Sequence, residues 1–76
     1  MNHTVYTVYK ENTNLYFAST DYHRALKEFM EIRNGMAEKD WKGLTMSKEV
    51  YASIHDCQDG KDPISACDYY RDGRKI

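Results

Sequence analysis

From Asp21 to Asn34 the apolar positions recur every three or four residues. On a 3.6-residue wheel Tyr22, Ala25, Leu26, Phe29, Ile32 and Met36 share one arc, with Met30 at its edge, and Lys27, Glu28, Glu31 and Asn34 lie opposite. The pattern predicts an amphipathic helix with one buried face. Asp21 precedes the apolar series, where its carboxylate can accept from free amides of the first turn and sits at the positive end of the helix dipole. Asn34-Gly35 supplies the left-handed residue that usually closes a helix. Arg24 with Glu28 and Lys27 with Glu31 are spaced four apart, which predicts two ion pairs on the wet side, worth about 0.2 to 0.5 kcal/mol each. Such a stripe is the ordinary solvated face of a helix and carries no functional signal.

Before the helix the period changes to two. Thr4 to Lys10 is rich in Val, Thr and Tyr, Leu15 to Ser19 is a second apolar run, and Glu11 to Asn14 between them has turn composition. A hairpin is expected, its register pairing Thr7 with Ala18, Val8 with Phe17 and Tyr9 with Tyr16. Alternation then assigns Tyr6, Val8, Leu15 and Phe17 to one face and Val5, Thr7, Tyr9, Tyr16 and Ala18 to the other. The first is the better core face, and the helix, following with almost no linker, is expected to lie on it.

Beyond the helix the pattern is less decisive. Trp41 is the one large apolar anchor of a polar connection that Gly43 ends, and it is expected to pack over the end of the helix. Leu44, Met46, Val50, Ala52 and Ile54 alternate as on a strand, whereas Met46, Val50, Ile54 and Cys57 also make a helical stripe. An isolated hairpin is marginal in water, so a third strand is expected, over Val50 to Ile54. His55 to Asp62 reads as a polar loop. Asp62-Pro63 is a good helix start, with Ile64, Ala66, Cys67 and Tyr70 on its inner face and Gly73 as its stop. The rival is a small hairpin turning at Asp72-Gly73. The expected class is α+β: a small antiparallel sheet containing a hairpin, in the order β-β-α, then a strand and a short C-terminal helix, with the main helix on one face.

Composition narrows the function classes more than the fold. A chain of 76 residues is read as one domain, 1–76, burying only about 60% of its unfolded surface. Eleven basic against twelve acidic residues lack the basic footprint of a duplex DNA binder. No apolar run approaches the roughly 18 residues of a membrane span, and Met1-Asn2-His3-Thr4 lacks the basic-then-apolar order of a secretory signal, so a soluble cytoplasmic protein is expected. Cys57 and Cys67 are too few for a disulfide scaffold and are read as free thiols. His55-Asp56-Cys57 with Cys67-Asp68 is the one cluster of ligand-type residues, but neither cysteine belongs to a Cys-x-x-Cys knuckle, so a small metal or thiol protein is only the third alternative. No glycine-rich phosphate loop, facing carboxylate pair or supported Cys-His nucleophile is present, so no enzymatic activity and no cofactor is expected.

What remains is surface. Seven tyrosines exceed what a small core can hide, and pairing Tyr9 with Tyr16 beside Val5 would place two anchoring rings on the face not claimed by the helix. The segment Asp56 to Asp72 holds five aspartates against Lys61 and Arg71, and Asp56, Asp59 and Asp62 could dock on a basic groove. The run Val5-Tyr6-Thr7-Val8-Tyr9, Leu15-Tyr16-Phe17-Ala18-Ser19 and Asp21-Tyr22-His23-Arg24-Ala25-Leu26 resembles small phage-encoded accessory proteins, some of which block a host enzyme or defence complex. The resemblance implies inhibition by binding and carries over no residue. The expected function is thus non-catalytic binding to a larger protein or complex, with homodimerisation also open. Single-stranded nucleic-acid binding through Tyr9 and Tyr16 is the runner-up, short of flanking Lys and Arg.

Overall fold

The computed structural model describes residues 2–11 and 15–76. Strands β1 (His3–Lys10), β2 (Leu15–Ser19), β3 (Leu44–Tyr51), β4 (Ser65–Arg71) and β5 (Arg74–Lys75) form one antiparallel sheet in the order β2-β1-β3-β4-β5. Helix α1 (Tyr22–Asn34) connects β2 to a 3-10 turn at Glu38–Trp41, and a short helix α2 (Ile54–Gln58) follows β3. The class is α+β, with the N-terminal hairpin in the sheet.

Helix α1 begins where its cap predicts. Asp21 Oδ1 accepts from the amides of His23 at 2.9 Å and Arg24 at 3.3 Å. At the other end Gly35 closes the helix with φ −83°, donating to the Glu31 and Ile32 carbonyls, so the expected left-handed closure is not used. Among the described residues neither Arg24–Glu28 nor Lys27–Glu31 forms an ion pair; Arg24 instead lies over the Phe17 ring at 5.9 Å. Ala25 and Phe29 are fully buried in one cluster with Val8, Leu44 and Met46. Phe29 meets the Tyr70 ring at 4.7 Å, and Tyr6, Tyr22 and Tyr69 surround the cluster with mutual ring contacts of 5.3 to 6.3 Å. Burial of such side chains supplies most of a small domain's stabilisation.

In the first hairpin Thr7 faces Ala18 and Val8 faces Phe17 as expected, but the register shifts between Val8 and Tyr9, and Tyr9 faces Leu15. An extra residue of β2 is taken up in a bulge there, so the expected Tyr9–Tyr16 pair does not form and Leu15 changes face. The turn at 12–14 lies outside the described residues.

The third strand is displaced from its expected position. It spans Leu44–Tyr51 rather than Val50 to Ile54, pairing along all of β1 from His3 opposite Tyr51 to Lys10 opposite Leu44. The polar residues Thr45, Ser47, Lys48 and Glu49 hide a central strand whose Leu44 and Met46 enter the core while Thr45 and Ser47 are buried on the other side. Ser53 then caps α2, its hydroxyl accepting from the Asp56 amide at 3.2 Å, where a loop was expected.

The expected C-terminal helix is a strand. β4 pairs with β3 from Ser65 opposite Val50 to Tyr70 opposite Met46, and Asp72-Gly73 turns it into β5. A local Asp-Pro start signal is worth about 1 kcal/mol, whereas pairing satisfies the second edge of β3 and brings Tyr69 and Tyr70 onto the core. Asp72 (φ 54°) and Gly73 (φ 76°) both have the positive φ of the turns that suit two-residue hairpins. This turn is held by Gly43 N donating to Asp72 Oδ1 at 2.7 Å and Gly73 N to the Leu44 carbonyl at 3.0 Å. Trp41 does pack at the helix end: its Nε1 donates to the Arg33 carbonyl at 3.1 Å, and Arg33 and Arg74 lie over its ring at 5.3 and 5.7 Å.

Candidate functional site

Because β1 and β3 pair residue for residue, the positions facing away from α1 follow from the register: Val5 beside Glu49, Thr7 beside Ser47, Tyr9 beside Thr45. The middle of this face is polar yet buried. Thr7 (7% exposed) and Ser47 (3%) join their hydroxyls at 2.9 Å, and Thr45 Oγ1 donates to the Gly43 carbonyl at 3.1 Å. Larger side chains stand on either side of this row. They enclose a groove of about 420 Å³, lined by Val5, Thr7 and Tyr9 of β1 and by Leu15 and Ala18 of β2. Glu49, Tyr51 and Cys57 complete it from β3 and α2.

Among the described residues the carboxylate of Glu49 is the one formal charge in that lining. It accepts from the Tyr51 hydroxyl at 2.5 Å and from Thr7 Oγ1 at 3.4 Å. The hydrogen bond to Glu49 pushes the Tyr51 phenol up from 10.0 to about 12, with burial and nearby charges including Asp62 adding to it. Tyr9 is also raised, chiefly by burial and then by the charge of Asp68, against a hydrogen bond with Thr45 that lowers it. Both tyrosines therefore stay neutral donors in neutral solution.

Of the expected binding residues, Val5 and Tyr9 line this groove, and Tyr16 does not. Tyr16 sits in the bulged part of β2, 41% exposed. Asp56, Asp59 and Asp62 do not line the groove either. Asp56 is half-buried in α2 and pairs with Lys61 at 3.5 Å, Asp59 is the C-cap of α2, and Asp62 is exposed in the segment that follows. These three aspartates stand in α2, at its C-cap and in the segment after it, outside the groove lining. Glu49 and Tyr51 were missed because their place depends on the β1–β3 register, which becomes readable only once β3 is known to start at Leu44; Cys57, read as a free thiol, reaches the groove from α2.

Cys57 is half-buried and Cys67 exposed, and both are free thiols. Among the described residues no three His, Cys, Asp or Glu side chains converge on a metal position, and no helix is long and apolar enough to cross a membrane. A second, wider hollow of about 560 Å³ lies beside Trp41, Lys42, Asp72 and Arg74, where charges of both signs meet and Arg74 pairs with Glu38. Compared with known proteins, the chain matches no family model, no curated protein and no solved structure.

Proposed function

We propose that the chain is a protein-binding module without chemistry of its own, which docks a macromolecular partner in the groove opposite α1 and acts by occluding or bridging it. The observation that carries this reading is the groove itself: concave, largely apolar, and fixed by a hydrogen-bonded floor on a sheet. Aromatic side chains with apolar bodies and polar tips, such as Tyr9 and Tyr51, are the usual anchors of such surfaces. The likeness to phage accessory proteins makes blocking of an enzyme or defence complex the expected consequence of docking.

The alternative reading as a single-stranded nucleic-acid binder rests on Tyr9 and Tyr16, which do not pair; Tyr9 with Tyr51 is the combination on this face that would suit base stacking. The carboxylate of Glu49, which no ion pair among the described residues neutralises, repels phosphates and favours the protein partner. Affinity capture from lysate with the wild type, Tyr9→Ala/Leu15→Ala and Lys27→Ala separates these outcomes. A protein retained by the wild type and by Lys27→Ala but lost by the double variant supports the groove. Equal retention by all three rejects it, and nuclease-sensitive retention turns the reading to nucleic acid.

A further inference from the structure

We infer that the groove selects a partner segment carrying a lysine or arginine next to an apolar side chain, with the cation seated on Glu49; this rests on the proposed docking role. Three observations converge on that occupant. Among the described residues the Glu49 carboxylate is the one charge in the groove lining, and none of their ion pairs involves it. Its position is set by hydroxyls, Tyr51 on one oxygen and Thr7 on the other, so it is oriented without being neutralised. The groups whose charges act on the flanking tyrosines are of the same sign, Asp62 on Tyr51 and, on Tyr9, Glu11 and Asp68, the last of which is also paired with Arg71 at 2.8 Å. A carboxylate whose hydrogen-bond donors are both neutral hydroxyls keeps its charge uncompensated, and an incoming cation adds a charge-assisted hydrogen bond. The apolar side chains of Val5, Leu15 and Ala18 beside it match the neighbouring apolar residue or the methylene stem of the basic one.

The test uses small probes that present the two chemistries separately: benzylguanidinium, and benzylurea as its neutral isostere, titrated into the labelled chain and followed through backbone amide signals. Benzylguanidinium should shift the Val5, Tyr9 and Glu49 amides saturably and bind about tenfold more tightly than benzylurea, the least expected of a charge-assisted hydrogen bond. Glu49→Gln, with the remaining amide pattern unchanged, should remove that preference. Equal binding of both probes at these amides overturns the selection for a cation and leaves the apolar docking groove standing. No shift at these amides with either probe overturns the inference and removes the groove as a docking site.

Discussion

The two faces of the central strands differ in how they are filled. On the α1 side Val8 and Met46 are completely buried against Phe29, while directly behind them the paired residues are Thr7 with Ser47 and Tyr9 with Thr45. One face is closed by dispersion and apolar burial. The other is closed only at its floor, by the Thr7–Ser47 hydroxyl pair and the bond from Thr45 to the Gly43 carbonyl, and leaves its larger side chains standing around an open groove. Alternation along a strand thus separates the residues that hold the sheet together from those free to meet another molecule. A polar floor also favours an unfilled groove, because the hydroxyls keep their hydrogen bonds without any apolar cover.

The largest expected effect lies on the closed face. Phe29→Ala should cost about 3 to 5 kcal/mol in denaturant unfolding, a large share of the stability of a chain this size. Lys27→Ala on the outer side of α1 should change the midpoint little. Similar small shifts for both substitutions would mean that α1 does not bury the face described.

A smaller effect is expected at the floor of the open face. Thr7→Val leaves the buried Ser47 hydroxyl without its partner and should cost about 1 to 3 kcal/mol, whereas adding Ser47→Ala should recover most of that loss. Additive losses in the double variant would show that the hydroxyl pair is not the interaction being removed.

Much of the closed face was legible in the sequence, and much of the groove was not. The period of α1, its Asp21 cap and the pairing of Val8 with Phe17 depend on neighbours close in the chain. The start of β3 at Leu44 depends on partners about forty residues away and the strand in place of a C-terminal helix on competition between elements, while the bulge that turns Tyr16 away is a local break in pairing that strict alternation does not show. The burial of Thr45 and Ser47 has no signature in hydropathy, because each is satisfied by a partner that only the fold supplies, the Gly43 carbonyl for Thr45 and the Thr7 hydroxyl for Ser47. The Asp62-Pro63 signal was misread because a local cap weighs little against an unpaired edge of the central strand.

The subtlest effect should be spectroscopic. Tyr51 titrates at about 12 in the folded chain against 10.0 for the free phenol, chiefly through its bond to Glu49. A folded value above the unfolded one means that this contribution to stability is fully present below pH 10 and is lost as pH rises through about 12. Glu49→Gln should bring the Tyr51 titration down toward 10.0, measured by the phenol carbon resonance. A value unmoved by the substitution would detach Tyr51 from Glu49 and loosen the groove wall.

The most direct measurement on the open face uses the two free thiols, which lie in different settings: Cys57 lines the groove, and Cys67 is opposite Lys48 on β4. The rate of alkylation of each, followed by mass spectrometry with and without the captured partner, reports which surface the partner covers. Protection of Cys57 with Cys67 still reacting at its free rate is the result expected of a partner seated in the groove. Protection of Cys67 alone, or unchanged labelling of Cys57 in the complex, would place the partner elsewhere.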